Sequence, residues 1–200
     1  MANYKEIKIS DYLYNLPDSK IAQYPISERD SSNLLIYNKT KIEESRFNKI
    51  DEYIPPDSLI VFNNTKVIPA RLFFYKSSGA KIEIFCLEPV SDITDYQVEF
   101  QKKGKSEWKC FVGNASKWKS GKVKSIYRYN DKEYEITAEV KNQLSDEYII
   151  EFIWDNNIMF GEILEALGKT PLPPYIRRES EDSDKNKYQT VYAKIDGSVA

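Results

Sequence analysis

From Ala70 to about Trp154 the chain alternates strand-length segments with polar turns and leaves no room for helices between them, and this constrains its fold more than any other feature. Arg71 to Tyr75, Lys81 to Leu87, Tyr96 to Phe100, Trp108 to Val112, Lys122 to Tyr129, Lys132 to Val140 and Glu147 to Trp154 all read as strands. They carry the period-2 alternation or the short apolar run expected of strands, and Asn130-Asp131 suits a hairpin turn. Six or seven short strands in succession predict a closed or nearly closed antiparallel barrel.

The flanks read differently. Pro17 can open a short helix from Asp18 to Ala22. Asn33 to Tyr37 reads as a buried strand, Glu43 to Phe47 as a second strand or a strand-then-helix start, and Ile50 to Tyr53 as a short helix. Ser58 to Phe62 is a continuous apolar run, the pattern of a strand covered on both faces. After Trp154 a helical period brings Met159, Ile163, Ala166 and Leu167 to one face, with Gly168 as C-terminal cap. Mixed elements on both sides of an all-β block are what an insertion produces. The expected layout is an α/β main domain, residues 1–69 and 156–200, with a small antiparallel β-barrel inserted at 70–155.

Composition excludes several chemistries within this chain. It has no histidine, so a Ser-His-Asp or Cys-His site and the usual His-based zinc sites are ruled out. Cys86 and Cys110 form no CxxC pair, so neither a metal site nor a disulfide framework is expected. The net charge of −2 excludes a uniformly basic nucleic-acid binder but not a local patch. One such run exists: Lys102, Lys103, Lys105, Lys109, Lys117, Lys119, Lys122, Lys124 and Arg128 against the single acid Glu107, with Trp108, Phe111, Trp118 and Tyr127 interleaved. It is either a nucleic-acid groove or a solvated barrel face whose aromatics point inward. No apolar run nears membrane-spanning length, and a cytoplasmic protein is the expectation.

Four polar stretches outside the β block carry candidate site residues. Arg29-Asp30-Ser31 can bind a carboxylate, phosphate or ribose, or form a surface turn. Asn63-Asn64-Thr65, with Arg71 downstream, follows an apolar run and offers donors and acceptors for a nucleobase or sugar, or an Asn-rich turn. Leu172-Pro173-Pro174 stiffens a loop presenting Tyr175, Arg177 and Arg178 to phosphate or a stacked ring, or makes a linker with solvated charges. Tyr188, Gln189 and Tyr192 can read a base edge, or lie half buried in a strand.

Four longer motifs contain these residues in order. They are Leu16-Pro17 with Ile21-Ala22-Gln23-Tyr24-Pro25 and Arg29 to Leu35, then Leu59 to Leu72, Leu172 to Arg178, and Tyr188 to Ala193. Together they resemble the S-adenosylmethionine:tRNA ribosyltransferase-isomerase family over nearly the whole chain; within the β block only Lys81-Ile82-Glu83-Ile84 looks familiar. The resemblance implies an α/β main domain with an inserted barrel. It implies transfer and isomerisation of the ribosyl moiety of S-adenosylmethionine onto 7-aminomethyl-7-deazaguanine at the tRNA wobble position, giving epoxyqueuosine and releasing adenine and methionine. S-adenosylmethionine is then a consumed cosubstrate, tRNA the partner, and no metal or further cofactor is expected. Family members continue past the position of Ala200 into a His-containing segment, so an incomplete main domain is the expectation. A different class of reading is a non-catalytic RNA-binding module built on the basic barrel.

Overall fold

The structure, a computed structural model, describes residues 7–91, 95–173 and 175–198. Pro174, one of the prolines expected to stiffen the loop before Tyr175, lies outside them. The chain divides into two compact units, 1–58 with 174–178, and 59–173 with 179–200.

The first unit is built around a hairpin of β1 (Asn33–Asn38) and β2 (Lys41–Arg46), antiparallel with Asn38 opposite Lys41. Lys39 adopts φ 54 at its turn. Short 3-10 turns flank it at Ile9–Tyr12, Asp18–Lys20, Arg29–Ser31 and Phe47–Glu52. The expected strand at Asn33 to Tyr37 forms but is not buried: Leu35 and Tyr37 are 68% and 70% exposed. A two-stranded ribbon has too little surface to cover both of its own faces.

The second unit begins with β3 (Thr65–Val67) and continues into β4 (Arg71–Tyr75) and β5 (Lys81–Pro89). Then come α1 (Tyr96–Phe100), β6 (Lys105–Gly113), β7 (Val123–Tyr129), β8 (Lys132–Gln143) and β9 (Tyr148–Ile153). After these follow α2 (Phe160–Leu167), α3 (Asp184–Lys187) and β10 (Ile195–Ser198). Six of the strands close into the expected barrel in the order β4-β5-β6-β9-β8-β7, with β4 returning to β7. The alternation has its usual cause. On β7, Val123, Ser125 and Tyr127 face inward while Lys124, Ile126 and Arg128 face out. The β7–β8 turn has φ 47 at Asn130 and 61 at Asp131, the doubly left-handed geometry that Asn and Asp tolerate and a tight hairpin requires.

The barrel interior is filled by Leu72, Phe74, Ile82, Ile84, Trp108, Ile136, Ile150 and Phe152, all fully buried. Each such side chain contributes about 1.5–3 kcal/mol by leaving water. Phe160 of α2 closes one end, its ring 5.4 Å from Trp108 and 5.6 Å from Phe152. Cys86 and Cys110 face each other across β5 and β6 as buried free thiols, and burial pushes the Cys110 thiol up. On the outer wall Glu107, Glu151 and Glu139 lie in register on three adjacent strands. Their repulsion is offset by Lys105, which pairs with Glu107 and Glu151, and by Lys141, which pairs with Glu139 (3.2 Å) and Glu151 (2.7 Å). The two ammonium groups hold the buried Glu151 carboxyl below the usual range.

Two further expectations are corrected, and one is borne out with a different geometry. Tyr96 to Phe100 is a helix, not a strand. The Asp95 carboxylate caps it by accepting from the Gln97 N–H at 2.9 Å, and the one-turn spacing sets Tyr96 and Phe100 together against Trp108, 5.9 and 6.2 Å between centroids. Ser58 to Phe62 is not a covered strand. It has no regular structure, and Leu59 and Val61 are 90% and 85% exposed. Pairing begins instead at Thr65, where β10 supplies a parallel partner; 59–62 has none among the described residues. Gly168 does end α2, but with an extended backbone (φ −71, ψ 148) and not a left-handed one. Glycine is needed there because a Cβ would fall 1.9 Å from the Pro69 carbonyl oxygen.

Candidate functional site

The four polar motifs fall into two pairs, one in each unit. In the second unit, the motif before the barrel meets the motif after it. Asn63 folds its side chain back, Oδ1 accepting from the Thr65 N–H at 2.8 Å, and this turn sets the direction of β3. Thr65 lies opposite Ile195 in the parallel β3–β10 pair, and the Lys194 N–H donates to the Asn64 carbonyl at 2.8 Å. Gln189 ties the two segments together. Its Oε1 accepts from the Val67 N–H and its Nε2 donates to the Val67 carbonyl, both at 2.7 Å. One side-chain amide thus satisfies both backbone groups of Val67, as a neighbouring strand would. Phe62 and Tyr192 add a ring contact at 4.1 Å.

These residues differ in what they leave free. Gln189 spends one donor and one acceptor on Val67. The Asn64 side chain is exposed with no partner among the described residues, and Tyr192 is 44% exposed. Tyr188 is not in a strand; its N–H donates to the Asp184 carbonyl at 3.0 Å, closing α3.

In the first unit, the segment bearing the two arginines docks on the first motif. Arg177 Nη1 donates to Asp18 Oδ2 at 2.7 Å, and its N–H donates to Gln23 Oε1 at 3.1 Å. Arg178 Nε donates to the Gln23 carbonyl at 2.9 Å, with its guanidinium 4.2 Å from the Tyr24 ring centroid. The Arg177–Asp18 pair is exposed on both sides (73% and 68%), and such pairs contribute about 0–1 kcal/mol, so an incoming anion can replace Asp18 at little cost. Arg29, Asp30 and Ser31 form a 3-10 turn held from below. Ser32 Oγ donates to the Arg29 carbonyl at 2.7 Å and Arg46 Nη1 to the Ser31 carbonyl at 2.9 Å. The side chains of Arg29 and Asp30 stay exposed, as does Tyr175. Arg71 stands apart from both groups: on β4 of the barrel wall, 3.0 Å from Glu83 and over the Phe85 ring at 6.0 Å.

A cavity of about 530 Å³ opens where β3 leads into the barrel. Ile68, Phe100 and Leu164 give it apolar walls, while Gln101, Tyr129 and Glu162 bring polar groups to it. Its size suits a nucleoside. The Tyr129 hydroxyl donates to Glu162 Oε1, and Glu162 Oε2 accepts from the Met159 N–H at 2.8 Å. These two donors hold the Glu162 carboxyl below its ordinary range, and donating to that carboxylate raises the Tyr129 phenol. The cavity therefore presents a carboxylate that stays ionised, suited to attracting a cation and poor at accepting a proton. Sequence reading missed Phe100 and Gln101 because Tyr96 to Phe100 passed for a strand. The available signal was Asp95 just ahead of it, a helix-capping residue type.

Among the described residues there is no group of His, Cys, Asp or Glu able to hold a metal ion. No helix among them is long and apolar enough to cross a membrane.

Residues 9–200 match the family model described as queuosine biosynthesis protein. Three curated relatives are each named S-adenosylmethionine:tRNA ribosyltransferase-isomerase. The protein from Trichlorobacter lovleyi is 36% identical over 195 residues, covering 96% of this chain and 51% of the relative. That from Desulfotalea psychrophila is 36% identical (98% and 52%), and that from Thermodesulfovibrio yellowstonii 37% identical (97% and 51%). The chain spans about half the length of these relatives. No solved structure matches it.

Proposed function

Because this chain belongs to the queuosine biosynthesis protein family, we propose that it takes part in moving the ribosyl moiety of S-adenosylmethionine onto 7-aminomethyl-7-deazaguanine at the tRNA wobble position, with isomerisation to epoxyqueuosine and release of adenine and methionine. The observation that carries this reading is the joining of the Asn63–Thr65 turn to the Gln189–Lys194 segment, which gathers two motifs 122 residues apart on one wall. Asn64 and Thr65 face the ribose or base on that wall, which Asn63 and Gln189 shape, with Tyr188 and Tyr192 beside them. In the other unit Arg177 and Arg178 meet tRNA phosphate, with Arg29, Asp30, Ser31 and Tyr175 lining the same surface.

The chemistry explains what such a wall must supply. The sulfonium acidifies its neighbouring carbon and makes methionine a good leaving group. The protein then has to orient the ribose, remove one proton and deliver another to departing adenine. The parallel β3–β10 pair is read as the start of an α/β main domain, since parallel strands need a long crossover, and here the barrel lies inside it. A cytoplasmic location fits these substrates.

The test is adenine release from S-adenosylmethionine and tRNA bearing the aminomethyl base. It is measured for this chain and for one extended to the length of the relatives. Release by the extended chain, reduced at least tenfold by Asn64→Ala, is expected; no release from either discards the reading.

A further inference from the structure

The basic run divides in the structure. Four of its lysines on or beside the barrel wall are neutralised, Lys102 by Glu99 (2.7 Å), Lys105 by Glu107 and Glu151, Lys109 by Glu88 (2.5 Å) and Lys124 by Glu135 (3.0 Å), whereas Lys103 and Arg128 have no ion-pair partner among the described residues. Those in the loop from β6 to β7 are not neutralised either. Lys117, Lys119 and Lys122 are exposed, and none has an ion-pair partner among the described residues.

This loop is built rather than loose. It joins strands that are not neighbours in the barrel, so it crosses the barrel end opposite α2. Trp118 anchors it: 3% exposed, with its indole N–H donating to the Gly121 carbonyl at 2.9 Å. The Lys117 and Trp118 N–H groups donate to Asn114 and Ala115 carbonyls at 2.9 Å each, and Asn114 and Gly121 take left-handed φ of 59 and 84 at its two bends. Lys76 reaches in from the β4–β5 turn, its ammonium donating to the Lys117 carbonyl at 2.8 Å. The one registered β4–β7 pair is Tyr75 opposite Lys124, so Lys76 and Lys122 both lie within two residues of the same edge, where Tyr75 is 48% exposed. The acids at this end, Asp146 and Glu147, belong to the β8–β9 turn.

We infer that this lysine cap, Lys76, Lys117, Lys119 and Lys122 held over one barrel end by the buried Trp118, is a docking site for an RNA phosphate backbone. Exposed ammonium groups without ion-pair partners, carried on a held backbone beside an exposed aromatic ring, suit a nucleic-acid backbone, and a loop already held lowers the ordering cost of binding. The cap positions RNA without reading its sequence. It takes from the proposed function only the choice of RNA as partner.

The experiment measures binding of an unmodified anticodon stem-loop RNA at a series of salt concentrations, with no S-adenosylmethionine present. Replacing Lys117, Lys119 and Lys122 together by Gln is expected to lower the slope of log K against log salt by about 2–3, at roughly 0.7–0.9 per lost phosphate contact. The double replacement Arg128→Gln, Lys132→Gln, at the other end of β7 and β8, is expected to leave the slope unchanged. Equal thermal midpoints for all three proteins separate lost contacts from lost folding. If the triple variant unfolds, Lys119→Gln and Lys122→Gln are measured singly, each expected to lower the slope by just under 1. An unchanged slope in the folded loop variants overturns the site, as does an equal drop in the Arg128 and Lys132 control. Tighter binding to anionic phospholipid vesicles than to RNA at the same salt overturns the choice of partner. Since nothing turns over, failed adenine release leaves this result standing, and a flat slope leaves the reaction standing.

Discussion

The Gln189 clamp on Val67 gives the sharpest test of how the two motifs are held together. Replacing Gln189 by Ala deletes two hydrogen bonds of 2.7 Å to a half-buried peptide and supplies nothing in return. At about 1 kcal/mol net each, the local cost is about 2 kcal/mol. The β3–β10 pair has only three registered partners, so it cannot absorb that loss by spreading it along a ladder. The Val67 amide should exchange its hydrogen roughly 30-fold faster, the factor that 2 kcal/mol gives, while amides of the barrel core keep their wild-type rates. Gln189→Glu sharpens the test. The introduced carboxylate can still accept from the Val67 N–H but faces the Val67 carbonyl with no proton to donate. Its neutral form alone makes both bonds, which raises its folded pKa above the ordinary value of about 4.3. The clamp is then present below that value and lost as pH rises through the folded pKa. Exchange measured by NMR between pH 4 and 7 decides the matter. Wild-type protection of Val67 in Gln189→Ala would mean that the clamp holds nothing.

Three further outcomes follow from the packing. Gly168→Ala removes backbone entropy from the unfolded chain, which alone would stabilise, but its Cβ would meet the Pro69 and Leu164 carbonyl oxygens at 1.9 and 2.4 Å; a net loss of about 1–3 kcal/mol is expected in urea unfolding, and a gain would show that the α2 end is not packed on Pro69. Tyr127→Phe removes a buried hydroxyl that has no hydrogen-bond partner, so the barrel should gain about 1 kcal/mol and melt about 2–4 °C higher. Burial pushes the Tyr127 phenol up to about 12, so the wild type should also lose stability as pH rises from 10 to 12, and the Phe variant should lose less. Glu151→Gln should flatten the acid limb of the stability curve. The wild-type carboxylate, held below its ordinary pKa by Lys105 and Lys141, contributes above about pH 4.3 and loses that contribution as pH falls through its folded value; equal slopes between pH 5 and 3 would refute this.

The barrel was legible because its information is local. Arg71 to Tyr75 was read with the bounds it has, and the Asn130-Asp131 turn was given by residue types alone. Closure followed from strand count, but the order β4-β5-β6-β9-β8-β7 did not, since the crossing from β6 to β7 is set by which edges remain unpaired. Tyr96 to Phe100 failed for a stated reason. Five residues are too few for helical and strand periods to separate, and the capping carboxylate of Asp95 outweighed aromatic β-propensity. Leu59 to Phe62 failed because an apolar run records a preference for burial and says nothing about whether a partner strand lies beside it.

The motif residues were legible as polar clusters, yet their geometry sorts them in a way composition could not. Asn63, Gln189 and Arg178 spend their polar groups on nearby backbone: on the Thr65 N–H, on the Val67 peptide and on the Gln23 carbonyl. Asn64, Tyr192, Arg29, Asp30 and Tyr175 keep theirs toward solvent. A residue whose hydrogen bonds are already made gains little by touching a ligand, because each new bond must replace one of equal worth. Asn63 and Gln189 therefore shape the wall, and Asn64 and Tyr192 are free to meet a substrate there. This predicts different kinetic signatures. Asn64→Ala or Tyr192→Phe should alter the kinetic constants with the fold intact, whereas Asn63→Ala should act through exchange at Thr65 and lower activity only in proportion to the wall it loosens. Activity lost in Asn63→Ala with Thr65 protection unchanged would reverse the assignment and place Asn63 against the substrate.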